Sequence, residues 1–158
     1  NDTATGAGFG KLYSDAIIGF GVHRLVNLMA MHSSQPLYYY QFGYIGNRSH
    51  YVDPDTKKPI ASVHHDDLLY LFNVSYNFPP VPVSDSLDSH MVDKMTAIFY
   101  NFMRYGDPNP KSDTPELSSM NWPQFTPDKR KYLRIDTPFS VNQNLFEDRF
   151  KVWEELFP

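Results

Sequence analysis

A continuous apolar run at residues 37–42 constrains the fold of this chain more than any other segment. The run, Leu37-Tyr38-Tyr39-Tyr40-Gln41-Phe42, does not alternate between polar and apolar side chains. Strands of this kind are covered on both faces, as in a parallel sheet. Tyr132-Leu133-Arg134-Ile135 is the other strand that can be recognised, and two strands alone do not easily form a stable sheet. The sequence therefore predicts a partial sheet that lacks further strands.

Apolar residues at helical spacing predict helices around these strands. Asp15 is placed to cap the first helix, which runs to about His32, and Gly19 and Gly21 indicate close packing in its first turns. The small, Gly-rich residues 1–13 lack the spacing and the preceding strand of a phosphate-binding loop. They are predicted to be a flexible loop.

The clearest helical pattern begins at about Asp88 and ends before Gly106, a residue suited to a left-handed C-terminal cap. Its expected apolar face lies opposite Asn101. The members of that face are Met91, Met95, Ile98, Phe99 and Phe102. A shorter helix is expected over residues 66–73 and a terminal helix over residues 145–156. Strands and helices in this order are typical of an α/β protein.

Length and charge exclude several classes of function. At 158 residues the chain is long enough for one ordinary domain, and 16% aromatic residues suit a large core or an apolar pocket. A net charge of −4 gives no electrostatic reason to expect nucleic acid as a partner. The absence of cysteine excludes disulfides, thiol catalysis and Cys-ligated metal within these residues. No run approaches the about 20 apolar residues of a membrane span, and no cofactor motif is present.

The tetrapeptide His64-His65-Asp66-Asp67 is the segment best suited to chemistry. A histidine here can be a general base, a metal ligand or a structural donor. A metal site could draw on these residues and His90, although adjacent side chains do not easily turn to one ion. The acidic pair is expected to be structural, at the start of a helix. Acyl transfer would need a serine, and the Gly-x-Ser-x-Gly motif of hydrolases does not occur in the sequence.

The residues around this tetrapeptide resemble the histidine loop of type-B carboxylesterases and cholinesterases. The matching run is Ser62-Val63-His64-His65-Asp66-Asp67-Leu68-Leu69-Tyr70-Leu71-Phe72. Further family landmarks follow in the same order over nearly the whole chain, and the pattern is most similar to that of insect esterases. They are Ser14-Asp15 with Phe20, the aromatic strand at 37–42, Asn101-Phe102, Tyr105-Gly106-Asp107-Pro108-Asn109, Asn121-Trp122-Pro123 with Phe125, and Tyr132-Leu133-Arg134-Ile135.

This resemblance implies that residues 1–158 are the C-terminal portion of a single α/β-hydrolase domain, with the last strands of the sheet and their packing helices. It implies a serine carboxylic-ester hydrolase in which His64 is the catalytic base. The nucleophilic serine, the acid and the oxyanion loop would lie upstream, so the fragment alone is expected to be inactive. His65 stands where the family usually has Gly or Ala, and with Phe20 and Tyr51 it is expected to line the substrate pocket.

The expected partners are a small apolar ester and the rest of the parent hydrolase chain, with no nucleic acid, metal or cofactor. Sequons at Asn1, Asn47 and Asn73 indicate a glycoprotein of the secretory pathway, while a cytoplasmic location stays open. The alternative function is a non-catalytic adhesion or binding member of the same superfamily, since a histidine can persist after its serine is lost. A third interpretation is an independent binding module of 158 residues.

Overall fold

The chain folds as two units in a computed structural model, which describes residues 2–73 and 86–158 without the side chains of residues 2–5 and 7. The described residues of the first unit are 2–39, 124–132 and 142–158. Those of the second unit are 40–73, 86–123 and 133–141. No helix in the described ranges is long and apolar enough to cross a membrane.

A continuous helical segment opens the first unit. It consists of α1 (Asp2–Ser14), a π-helical turn (Asp15–Gly19) and α2 (Phe20–His32). The prediction of a flexible loop over residues 1–13 is therefore wrong for the part described. An added Cβ on any glycine of α1 would meet nothing within 4 Å, so these glycines mark neither a turn nor a close approach. We attribute α1 to helix propagation, because extending an existing helix costs less than nucleating a new one.

The π-helical turn packs against α4 (Glu147–Leu156). Asp15 is only 5% exposed, and both of its carboxylate oxygens accept hydrogen bonds from the Arg149 guanidinium. Asp15 is therefore a buried ion-pair partner rather than the predicted helix cap. A Cβ at Gly19 would lie 3.1 Å from the Phe150 ring, which confirms close packing there. At Gly21 it would meet nothing within 4 Å, so the same prediction is wrong at that position.

Aromatic residues form much of the first unit's core. The cluster comprises Val26, Tyr39, Phe125, Tyr132 and Leu145. The rings of Tyr39 and Phe125 meet edge to face at 5.8 Å, and the Phe125 N–H donates to the Leu37 carbonyl at 2.7 Å. Burial, with a smaller contribution from Glu147, raises the pKa of Tyr39 to about 12. The first half of the predicted strand thus belongs to a side-chain cluster rather than to a sheet.

The sheet of the described residues has the strand order β1-β2-β3. β1 (Tyr40–Phe42) pairs in parallel with β2 (Lys131–Ile135), and Tyr40 lies opposite Leu133. Leu133 and Ile135 are 1% and 0% exposed, as expected for a covered strand. The parallel pairing is confirmed, although the first strand begins at residue 40 rather than 37. The sequence does not predict β3 (Ser140–Gln143), because it is mostly exposed and has no apolar pattern.

The longest helix of the second unit is α3 (Leu87–Tyr105). Ser86 caps its N-terminal end, and the Ser86 side chain accepts a hydrogen bond from the Ser89 N–H at 3.2 Å. It ends at Gly106 with φ 66°, which confirms the predicted left-handed cap. A short 3-10 helix (Pro115–Leu117) follows in the loop beyond it.

The apolar face of α3 differs from the prediction near its C-terminal end. Met91, Met95 and Ile98 are buried as expected, but Phe102 is 45% exposed. Asn101, predicted to be on the polar face, is 0% exposed. Its amide nitrogen donates to the Asn109 carbonyl at 2.9 Å and to the Thr114 hydroxyl at 3.1 Å. Asn101 is therefore buried because it fastens the following loop to the helix.

Candidate active site

The segment that carries His64 lies at the carboxyl end of β1. The Gly43 N–H donates to the Ile135 carbonyl at 2.9 Å and continues the pairing with β2. The Ser62 hydroxyl donates to the Phe42 carbonyl at 3.2 Å, so the chain returns to this end of the strand just before His64. In open α/β sheets, ligands bind outside the carboxyl ends of parallel strands. His64 thus occupies the edge of the sheet where functional side chains are usual.

The buried carboxylate of Asp66 fixes this segment. Asp66 is 2% exposed and accepts from the Ser49 hydroxyl at 2.7 Å, the Val63 N–H at 3.0 Å and the His50 N–H at 2.8 Å. The His50 Nδ1 lies 3.0 Å from the same Asp66 oxygen. Because an ionised carboxylate only accepts, Nδ1 of His50 is the donor. Asp66 therefore ties two loop residues to the segment just before His64.

The helix predicted over residues 66–73 is a short 3-10 helix (Asp66–Tyr70) that no side chain caps. Asp67 accepts from the Tyr40 hydroxyl at 3.0 Å and from the Leu68 N–H at 3.0 Å. Burial, with a further contribution from Asp67, raises the pKa of Tyr40. The acidic pair is structural, as expected, but it anchors the histidine segment to β1 and to a loop rather than capping a helix.

Three imidazole rings follow one another beside this anchor. The rings of His64 and His65 are in a tilted contact, with 3.6 Å between centroids and 35° between planes. The ring of His50 lies 6.3 Å from that of His65, at an interplanar angle of 73°. All three residues are exposed. The backbone of His65 has φ 73° and ψ 1°, a left-handed conformation that costs a non-glycine residue energy.

Ser49, Asp66 and His50 are the three residue types of a hydrolase triad, but they do not have its geometry. The Ser49 hydroxyl donates to Asp66, whereas a nucleophilic serine must be hydrogen-bonded to the imidazole. The sequence does not single out His50, because it lies in a polar loop and reaches the other histidines only through the fold. A loop histidine upstream of the tetrapeptide is a signal too common to identify it.

Three of the predicted site residues, His64, His65 and Tyr51, lie in the second unit, and the fourth, Phe20, lies in the first unit. Tyr51 is 51% exposed and follows His50, and its N–H donates to the Ser49 hydroxyl at 3.1 Å. It therefore shares a loop with a neighbour of His65. Phe20 is half-buried in the first unit, where its ring stacks on Trp153 at 6.2 Å.

A cavity of about 270 Å³ lies in the second unit, lined mainly by residues 116–121 and 138–141, and none of the predicted site residues lines it. Lys94 and Phe139 are on its wall, with the Lys94 Nζ 5.3 Å from the ring centroid. Within residues 2–73 and 86–158, no three His, Asp or Glu side chains are grouped as metal ligands would be.

The sequons lie in different surroundings. Asn47 is exposed in the loop after β1, and its N–H donates to the buried Asp88 carboxylate at 3.1 Å. Ser49, the third residue of that sequon, is 5% exposed. Asn73 is exposed, while the rest of its sequon and the whole of Asn1 lie outside the described residues.

Comparison with known sequences gives one family match. Residues 1–153 match the profile described as "Carboxylesterase family". The chain is 26% identical to a juvenile hormone esterase of Tribolium castaneum over 140 residues. The matched residues make up 85% of this chain and 22% of the relative. It is 28% identical to esterase FE4 of Myzus persicae over 108 residues, and these residues make up 66% of this chain and 19% of that relative. The chain thus spans about a fifth of the length of these relatives.

Solved structures share the fold. The juvenile hormone esterase of Manduca sexta, with OTFP covalently attached, superposes with a TM-score of 0.71 at 25% identity, over 96% of this chain and 28% of that one. A structure described as PNB esterase gives a TM-score of 0.52 at 14% identity, over 73% of this chain and 21% of that one. The predicted α/β-hydrolase fold is thereby confirmed.

Proposed function

The chain belongs to the carboxylesterase family, and from that membership we propose that it supplies the catalytic base, His64, of a serine carboxylic-ester hydrolase. The observation that carries this proposal is the position of His64 at the carboxyl end of β1, on a segment anchored by the buried Asp66. A general base needs a fixed imidazole with access to substrate. The described contacts give His64 an anchored backbone and an exposed ring.

In the proposed reaction His64 accepts the proton of the nucleophilic serine as its oxygen attacks the ester carbonyl. It then returns that proton to the leaving alcohol, and a second cycle with water releases the acid. The sequence has no Gly-x-Ser-x-Gly motif. The serine, the acid that orients the imidazole and the oxyanion donors are therefore proposed to belong to the remainder of a longer hydrolase domain, of which these 158 residues are the C-terminal portion.

The proposed substrate is a small apolar ester. His65, Tyr51 and Phe20 are proposed to line its pocket, and the exposure of His65 and Tyr51 in the unit of His64 supports this. A substrate panel includes juvenile hormone, because two of the similar proteins carry that hormone in their names. Short-chain aryl esters complete the panel as generic substrates.

The test uses the full-length protein that carries this chain. A fluorophosphonate probe should form a serine adduct, and esters should turn over. His64→Gln should lower kcat by at least about 10³-fold with little change in KM, because the transition state loses its base. His32→Gln, at the exposed end of α2, is the matched control and should keep wild-type activity. No adduct and no turnover would favour the non-catalytic adhesion or binding member instead.

We also propose that the protein enters the secretory pathway and carries N-glycans. The exposed Asn47 in the loop after β1 supports this, and Asn73 and Asn1 are the other candidate acceptors. Glycosidase treatment of the protein from its natural source should reduce its mass. An unchanged mass together with cytosolic fractionation would contradict the proposal.

A further inference from the structure

The three neighbouring imidazoles of the second unit form a column that rests on a buried carboxylate. The ring of His64 lies against that of His65 in a tilted contact, with 3.6 Å between centroids and 35° between planes. The ring of His50 meets His65 edge to face at 6.3 Å. The edge-to-face contact of His50 with His65 lies within the favoured range for aromatic pairs. The centroids of His64 and His65 are closer than that range, so the two rings are in direct contact. Each ring therefore limits the rotation of the next.

The outer end of the column is the best-fixed part of it. Asp66 is 2% exposed and accepts both the backbone N–H and the ring Nδ1 of His50, at 2.8 and 3.0 Å. The same carboxylate accepts the Ser49 hydroxyl and the Val63 N–H. Four donors on one buried carboxylate leave it little freedom to move. His50 is consequently held at two atoms, although 39% of its side chain is exposed.

The middle of the column is held in an unfavourable backbone conformation. His65 has φ 73°, where a glycine would be free of strain. Strained residues of this kind persist where the surrounding structure over-determines them, and they cluster at functional sites. The side chain at position 65 thus stands on a strained backbone, and its closest ring contact is with His64.

We propose that His65 and His50 are positioning residues for His64, a role that rests on the proposed function of His64 as catalytic base. The face of the His65 ring supports the His64 imidazole, and His50, fixed by Asp66, supports His65 in turn. These contacts keep the His64 ring in the orientation from which it takes the serine proton. Since misplacing a catalytic group by about 1 Å can cost 10²-fold in rate, loss of this support lowers kcat.

The positioning role needs a flat ring at position 65, but the ring does not have to titrate. This requirement distinguishes it from roles in which a histidine gains or loses a proton. In the full-length protein, His65→Leu should lower kcat about tenfold or more and leave KM within about twofold. His65→Phe should restore most of the activity, because the ring face is retained. His50→Leu should lower kcat by a smaller factor, since its support is indirect.

The backbone provides a control for stability. His65→Gly removes the strain together with the ring, so the thermal midpoint should be unchanged or raised while kcat falls as in His65→Leu. A merely structural role would make activity follow stability. Equal activity of His65→Leu and the wild type would overturn the proposal, and so would a His65→Phe variant as impaired as His65→Leu.

A spectroscopic readout keeps the proposal testable apart from the enzyme reaction. In protein with ¹³C-labelled histidine, the ring current of His65 should shift the His64 Hε1 resonance upfield. The shift should survive in His65→Phe and vanish in His65→Leu. If the wild type neither turns over esters nor binds the probe, the proposed function fails. If the wild type is active but substitutions of His65 change neither the His64 Hε1 resonance nor kcat, the positioning role alone fails.

Discussion

The carboxylate of Asp107 fastens the turn that follows α3. It accepts from the Lys111 ammonium at 2.7 Å, and from the Asn109 N–H and side-chain amide at 3.0 and 2.8 Å. Partial burial acts to raise the pKa of Asp107, but these donors outweigh it and lower the pKa from 3.8 to about 2. A carboxyl with a depressed folded-state pKa stabilises the fold fully above its unfolded pKa. That stabilisation is lost as the pH falls through about 4 towards about 2.

Asp107→Asn should therefore destabilise the full-length protein by about 1 kcal/mol at pH 7, a discounted value because 38% of the side chain is exposed. The difference from wild type should shrink as the pH is lowered from 5 to 3. Urea denaturation across this pH series measures it. Asp113→Asn, an exposed carboxylate in the same loop, is the control and should be near neutral. A stability difference between wild type and Asp107→Asn that stays constant with pH would contradict this role of Asp107.

Gly106 and Gly21 should respond in opposite ways to the same substitution. Neither has an atom within 4 Å of an added Cβ, so only the backbone distinguishes them. Gly106 has φ 66°, and Gly106→Ala should cost about 1 kcal/mol. Gly21 lies inside α2, and Gly21→Ala should stabilise by roughly 0.5–1 kcal/mol. Thermal unfolding of both variants decides, and a shift of the same sign in both would refute the conformational account.

At the scale of single residues, the sequence predicts features that depend on neighbouring positions in the chain. Gly106 follows a clear helical period, so its left-handed cap could be predicted. His64 stands within a recognisable run of residues. By contrast, Asp66 and His50 are 16 positions apart and meet only through the fold, so no local pattern joins them. The helical period likewise predicts Asn101 on a polar face, because its buried partners lie beyond the helix.

At the scale of elements, burial along α3 differs between residues of the same type. Met95 is 0% exposed and Met103, on the same helix, is 78% exposed. Met95→Ala should destabilise the protein by about 2–5 kcal/mol, because it removes buried apolar atoms and leaves a cavity. Met103→Ala is the matched control and should change stability by less than about 0.5 kcal/mol. Chemical denaturation measures both, and equal effects would show that the helix packs differently in solution.

Elements that depend on their neighbours are the ones that sequence periodicity misses. α1 contains three glycines and is a helix because it continues into the π-helical turn and α2. β3 is mostly exposed and joins the sheet through pairing with β2 rather than through an apolar pattern. The aromatic pattern predicts a strand over the whole of residues 37–42, yet the first half of that run packs in a side-chain cluster.

At the scale of the whole molecule, the exposed apolar side chains require explanation. Ile17, Leu25 and Met31 are 71%, 56% and 62% exposed on one continuous helical segment. Exposed apolar surface of this kind promotes aggregation unless it is covered. We therefore predict that the isolated 158-residue chain aggregates or does not fold, and that it hydrolyses no ester.

Size-exclusion chromatography, thermal melting and an esterase assay on the purified chain test this prediction. The full-length protein, measured in parallel, is the control for fold and activity. A cooperative melting transition of a monomer would refute the folding part. Turnover by the chain alone would overturn the assignment of the nucleophile to another part of the protein.

The parallel pairing of β1 with β2 joins two segments that the ribosome synthesises at different times. Gln41 and its partner Arg134 are 93 positions apart. A ribosome that adds about 5–20 residues per second needs on the order of 5–20 s to complete the second strand after the first. Throughout that interval the nascent chain presents an aromatic strand without this partner, and incompletely paired strands of that kind are prone to aggregation. Translation that stops before Lys131 would leave that strand permanently without its partner.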